Sequence, residues 1–211
     1  MNLVSILKKA LMALTGLAWI GFLVGHLSGN FLLLRGADAF NGYAGFLASL
    51  GSLLYVVEAA LILFILLHIY SGVRVTLENR RARPVGYAVA ATAGRATLAS
   101  RTMAIGGIII AAFLVVHVKM FKFTSHQDVN NGLWGLVVDT FKQPLWVGAY
   151  IIAMLAIGMH VSHGLASAFQ TLGLIKPRWR TGFRRAGLAL GWLLAAGFIT
   201  LPVWCYLVPT N

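Results

Sequence analysis

The sequence predicts an all-α integral membrane protein with five transmembrane helices, the first four forming a bundle. Three observations carry this. Of 211 residues, 59% are hydrophobic and 10% charged, with mean hydropathy +0.83, more apolar surface than a soluble fold can bury. Five separate apolar stretches run over about 11–34, 52–73, 102–121, 145–169 and 186–208, each long enough to cross a hydrocarbon core of about 30 Å as a helix. The single cysteine, Cys205, excludes an internal disulfide, a thiolate zinc cage or an iron–sulfur cluster. A secreted disulfide scaffold, a water-soluble enzyme and a disordered tail are ruled out together. The whole of 1–211 reads as one membrane domain.

Taken in order, Met1 to Leu7 is short and apolar and suits the membrane surface or a partner. Lys8 and Lys9 precede the first stretch; its 24 residues exceed the apolar region of a signal peptide, so it reads as a retained helix. The connection from Arg35 to Gly51 mixes turn-forming and aromatic residues in Asp38-Ala39-Phe40-Asn41-Gly42-Tyr43, consistent with an interfacial loop or short helix. Between the third and fourth spans, Lys122 to Pro144 is the longest polar stretch on that side, with Asp128, Asn130, Asn131 and Asp139. Pro144 fits the first turn of the fourth helix, and Pro202 is expected to bend the end of the fifth.

A net charge of +12 would suggest nucleic acid in a soluble protein. Here the distribution matters more. Lys8 and Lys9, then Arg74, Arg80, Arg81, Arg83, Arg95 and Arg101, then Lys176, Arg178, Arg180, Arg184 and Arg185 all fall on one side of the membrane, leaving Arg35, Lys119, Lys122 and Lys142 on the other. Thirteen of seventeen basic residues on one side make that side, and with it the N-terminus, cytoplasmic. The expected charged partner is thus a lipid membrane and not nucleic acid.

Each of the first four spans carries one histidine at matched depth: His26, His68, His117 and His160. Each sits about fifteen residues, or roughly 22 Å, from where its helix enters the membrane. Because successive helices alternate in direction, His26 and His117 fall toward the outside and His68 and His160 toward the cytoplasm. The spacings repeat, 42 residues from His26 to His68 and 43 from His117 to His160, as in a tandem helical hairpin. One buried imidazole is equally well explained by an interhelical hydrogen bond; four at matched depth point to two bis-histidine haems, separated by on the order of 15 Å along the normal. Zinc or copper would usually want a third or fourth ligand at the same level.

Weaker signals accompany the histidines. Gly29, Gly72 and Gly164 follow His26, His68 and His160 by three or four residues, leaving room for a porphyrin edge or for ordinary helix packing. Haem propionates need cations, and Arg35, Lys119 and Lys122 outside with Arg74 inside are candidates, although anchoring the membrane ends would use the same residues. Glu58, the only carboxylate inside a span, lies about 9 Å from the outer end of its helix, a candidate for accepting a quinol proton or for a structural hydrogen bond. His163 reads as a polar companion of His160, and His126 as a surface residue.

As a set, several segments resemble the dihaem cytochrome b subunit of succinate dehydrogenases and fumarate reductases, of the single-chain five-helix type. They are Lys9-Ala10-Leu11-Met12-Ala13-Leu14-Thr15-Gly16 leading to Gly25-His26-Leu27-Ser28-Gly29-Asn30, then Ala39-Phe40-Asn41-Gly42-Tyr43-Ala44, His68-Ile69-Tyr70-Ser71-Gly72-Val73-Arg74, His117-Val118-Lys119 and His160-Val161-Ser162-His163-Gly164-Leu165. The resemblance covers nearly the whole chain. It implies axial ligands His26 and His117 for the outer haem and His68 and His160 for the inner one. It also implies a quinone, usually menaquinone, a flavoprotein subunit and an iron–sulfur subunit on the cytoplasmic face, and a place in a bacterial cytoplasmic membrane. FAD and iron–sulfur clusters would then belong to the partner subunits, and succinate or fumarate chemistry with them. Some members carry a glutamate two residues before the fourth-helix ligand for proton transfer; here that position is Gly158. Two other readings remain: the cytochrome b subunit of a hydrogenase, formate dehydrogenase or nitrate reductase, and a transporter or proton channel using histidines without haem.

Overall fold

The computed structural model describes residues 3–81, 98–125 and 129–209; Arg83, Arg95, His126 and Asp128 lie outside them. Among the described residues there are seven α-helices and no strand. They are α1 (Leu3–Asn30), α2 (Ala37–Ser49), α3 (Ser52–Arg81), α4 (Leu98–Lys122), α5 (Gly132–Phe141), α6 (Pro144–Thr171) and α7 (Arg180–Leu207), with 3-10 turns at Phe31–Arg35 and Pro177–Trp179. Five of these, α1, α3, α4, α6 and α7, are long and apolar enough to cross a membrane. The apolar stretches therefore mark the spans, but the helices outrun them. α3 continues through Arg80 and Arg81, and α7 begins at Arg180; charge ends a hydrophobic stretch without interrupting the i to i−4 hydrogen bonds.

The architecture is a ring of four helices with a fifth on its flank. α1 packs on α3 and α6, α6 packs on α4, and α3 touches α4 lightly, which closes the ring α1–α3–α4–α6. Ion pairs stitch its two ends. Lys8 of α1 meets Glu78 of α3 at one end, where Arg74 also approaches Glu78 at 3.8 Å, and Lys122 of α4 meets Glu58 of α3 at the other. The large apolar residues of α3, among them Tyr55, Val56, Ile62, Leu63 and Leu66, are exposed, as expected of surface that meets lipid tails instead of water.

α7 lies outside the ring, against α6. Small residues bring the two backbones together: a Cβ on Gly191 would fall 2.5 Å from Gly158 O, and one on Gly187 would fall 2.8 Å from Ser162 O. Ala195, 1% exposed, continues this seam. Close approach of this kind replaces the hydrophobic effect, which is absent between helices in lipid, with dispersion contacts. Pro202 is buried within α7, which runs through it to Leu207.

The connections at the Glu58 end differ most from the expectation of a polar loop. Residues 132–141 form α5, which buries Val137, Val138 and Phe141, because the run 132–138 between Asn131 and Asp139 is apolar. A backbone near the membrane boundary satisfies its own polar groups best as a helix. α5 pairs with α2 through Asn41, whose Nδ2 donates to Asn131 O at 2.7 Å while its Oδ1 accepts from the Trp134 amide at 3.0 Å. Trp134 Nε1 donates to Leu33 O at 3.0 Å, and Lys142 donates to Val208 O at the C-terminal end of α7, where the helix dipole favours a cation. α2 and α5 thus form a cap over one end of the bundle.

The seam predicts that Gly191→Ala forces α6 and α7 apart and lowers stability by about 1–3 kcal/mol. Gly21→Ala, whose Cβ meets nothing within 4 Å, is the control. Thermal unfolding of both variants in the same detergent measures the difference.

Candidate cofactor site in the helix bundle

The four histidines project into the ring from four different helices, and they meet across its two diagonals. His26 of α1 and His117 of α4 have ring centres 5.8 Å apart; His68 of α3 and His160 of α6 have ring centres 6.1 Å apart. Neither α1 with α4 nor α3 with α6 is among the helix pairs whose backbones pack closely. The paired imidazoles therefore bridge helices separated by the width of the bundle. All four histidines are half-buried.

The two pairs lie at different levels. Gly16 of α1 faces the His68 ring, with a Cβ there falling 3.0 Å from Cε1, and Gly107 of α4 faces the His160 ring at 3.9 Å. Gly16 precedes His26 by ten residues and Gly107 precedes His117 by ten. Ten residues of helix rise about 15 Å, so both sides of the ring report the same separation. Gly16 and Gly107 were not singled out in the sequence, yet the repeat that relates His26 to His117 maps one onto the other. Gly29 does something else: Tyr43 of α2 packs against it, occupying the space a side chain would need. Gly164 has nothing within 4 Å of an added Cβ, and Gly72 has only Met12 Sδ at 4.0 Å.

Hydrogen bonds orient one ring in each pair. His68 Nδ1 lies 3.0 Å from Met12 O and 3.3 Å from Thr15 Oγ1, and the Thr15 hydroxyl itself donates to Leu11 O at 2.7 Å. A carbonyl only accepts, so Nδ1 carries the proton and Nε2 keeps its lone pair for a metal. His117 Nδ1 lies 3.0 Å from the Tyr150 hydroxyl. Their mates are held differently. His26 stacks on Phe22 with centroids 5.1 Å apart and leans on Phe198 at 5.9 Å, and His160 Nδ1 is buried without a partner among the described residues.

This donor set can be tested against a metal. Among the described residues no group of three or more His, Cys, Asp or Glu side chains comes together, so each level offers two imidazoles and nothing else. That is too few for a protein-ligated zinc or copper ion and the right number for an iron whose other positions belong to a macrocycle. Each pair, with ring centres 5.8 or 6.1 Å apart, could hold one such iron between its two imidazoles. The residues present fit two b-type haems.

The charged candidates separate. Lys122 and Glu58 are each other's partners, and Arg74 lies beside Glu78. Arg35, at the end of the 3-10 turn, is exposed. Lys119 is also exposed and borders a shallow apolar depression with Leu114, Val115, Val118 and Phe123. His163 is half-buried one turn beyond His160. Three other polar groups of the interior carried no assigned role in the sequence: Thr15, 4% exposed, Ser71, wholly buried, and Trp19, whose buried Nε1, like Ser71 Oγ, has no partner among the described residues. Ser71 lies three residues after His68, a helical spacing that puts it on the histidine face, and Thr15 lies three residues after Met12, whose carbonyl His68 meets.

Fold and site together define an all-helical chain with five helices long and apolar enough to cross a membrane and two half-buried histidine pairs among the described residues. Compared with protein-family models, characterised proteins and solved structures, the chain matches none.

The Lys122–Glu58 pair joins helices that otherwise touch lightly, so Lys122→Ala is expected to lower stability by about 0.2–1 kcal/mol, the range for partly exposed pairs. The charge swap Lys122→Glu with Glu58→Lys should recover most of that loss. A double-mutant cycle of unfolding in detergent gives the coupling.

Proposed function

We propose that this chain is the dihaem, quinone-reactive membrane anchor of a succinate dehydrogenase or fumarate reductase in a bacterial cytoplasmic membrane, serving electron exchange between an iron–sulfur partner subunit and quinone. The observation that carries the reading is the meeting of His26 with His117 and His68 with His160 across the two diagonals of one ring. Bound between these pairs, two b haems would supply one-electron redox chemistry at two depths of the membrane. The chain's own contribution is ligation and orientation. Met12 O and Thr15 hold the His68 ring, and Phe22, Phe198, Phe113 and Phe121 pack against His26 and His117. Arg35, Arg74, Lys119 and Lys122 are the cations proposed for propionates.

The basic end of the bundle is proposed as cytoplasmic. Lys8, Arg74, Arg80 and Arg81 gather there, and with Arg178, Arg180, Arg184 and Arg185 at the start of α7 they form the docking face for the flavoprotein and iron–sulfur subunits. Glu58 lies at the opposite, outer end, its carboxylate half-buried and held by Lys122. There it is placed to exchange the proton of a quinol, with menaquinone the expected species.

Purified protein should therefore contain two b haems per chain by pyridine haemochrome. His68→Ala and His160→Ala should each lose the same haem and keep the other, and His26→Ala and His117→Ala should do the reverse. A colourless protein, or His68 and His117 variants lacking the same haem, contradicts the assignment. Glu58→Gln should keep both haems and lower quinone-linked turnover at least tenfold, while succinate oxidation by an artificial acceptor persists in the complex. Unchanged quinone turnover removes Glu58 from the proton route.

A further inference from the structure

Tyr150 is 6% exposed and sits in α6, ten residues before His160. Three rings fix its own. Phe113 and Phe141 meet it edge-on with centroids 4.8 and 4.7 Å away, and Phe121 lies at 6.4 Å. Phe113 and Phe121 flank His117 as well, at 5.5 Å each, so phenol and imidazole share one aromatic box. Phe141 belongs to α5, which ties the cap to the site. The hydroxyl then stands 3.0 Å from His117 Nδ1.

The direction of that hydrogen bond follows from what His117 does. If the phenol donates to Nδ1, the neutral imidazole carries its proton on Nε2 and has no lone pair there for a metal. If Nδ1–H donates to the phenol oxygen, Nε2 is free. Ligation through Nε2 thus selects the phenol as acceptor. An imidazole that donates from Nδ1 is a stronger electron donor through Nε2, and a stronger donor stabilises ferric over ferrous iron.

Resting on the haem reading above, we propose that Tyr150 is the positioning residue of the His26–His117 pair: by accepting the His117 Nδ1 proton it fixes that ring's tautomer and lowers the reduction potential of the haem held there. The two levels then differ by construction. At the His68–His160 level the acceptor is the Met12 carbonyl, which no side-chain substitution removes, whereas at the His26–His117 level it is a hydroxyl that one substitution deletes.

The test is a redox titration, followed in the visible haem bands, of the protein purified with its haem. Tyr150→Phe is compared with the native chain, and both are repeated with His160→Ala so that only the outer haem remains. At a fixed ambient potential Tyr150→Phe should raise the reduced-to-oxidised ratio of the outer haem about tenfold, ~59 mV for a one-electron couple, and leave the inner haem unmoved. An unmoved outer couple, or a shift confined to the inner one, overturns the proposal. Native protein without haem defeats the underlying reading instead. Should Tyr150→Phe not retain the outer haem, His117→Gly offers a second route. Added imidazole, which has an N–H to donate, should bind about tenfold more tightly than 1-methylimidazole, which has none, and the preference should vanish when Tyr150→Phe is combined with it. The same preference with and without Tyr150 overturns the proposal.

Discussion

The structure depends on one constraint: an imidazole placed in hydrocarbon must be turned inward and given something to meet. Four helices each carry such a group at matched depth, and a ring of four is the arrangement in which His26, His68, His117 and His160 each find a counterpart opposite. The ring order α1–α3–α4–α6 follows the chain and sets His26 against His117 and His68 against His160. Alternation of helix direction then separates the pairs by about 15 Å. Gly16 and Gly107 complete the pattern, each keeping its helix clear of the histidine at the other level.

Around that ring, each remaining element solves a problem the ring leaves. Lipid supplies no hydrophobic drive between helices, so α7 attaches through backbone contact at Gly158, Gly187 and Gly191. α3 and α4, lightly packed, are joined by Glu58 and Lys122. The end nearer His26 and His117 is covered by α2 and α5, latched by Asn41 and Trp134. Through Phe141 the cap also braces Tyr150, so the rigidity of a surface helix reaches an imidazole inside the bundle.

The two levels are built with different tools. His68 is held by a backbone carbonyl and a threonine, both supplied by α1, whereas His117 is held by a phenol on α6 within a cluster of phenylalanines. A backbone carbonyl has two lone pairs and can take a further donor within a helix, and the Thr15 hydroxyl bonds back to Leu11 O and Met12 O beside it. The environment of each pair is thereby set independently although the two lie in one bundle.

Much of this was legible in the sequence by itself. Hydropathy located the five long helices, because crossing a membrane demands about twenty apolar residues in a row, and equal depth with alternating direction paired the histidines before any contact was known. What only the tertiary structure decided were matters of distance. α5 was hidden because Asn130, Asn131 and Asp139 read as a polar loop while the apolar residues between them needed a partner surface to bury against. Gly29 faces Tyr43 and Gly16 faces His68, a distinction spacing along one helix cannot make, since it depends on which neighbour arrives at that face. Lys122 and Glu58, read separately as a propionate cation and a proton acceptor, are partners because α3 and α4 run antiparallel, 64 residues apart in sequence. Tyr150 carried no signal, for a tyrosine in a hydrophobic helix becomes a partner for an imidazole only when the fold brings the two within 3.0 Å.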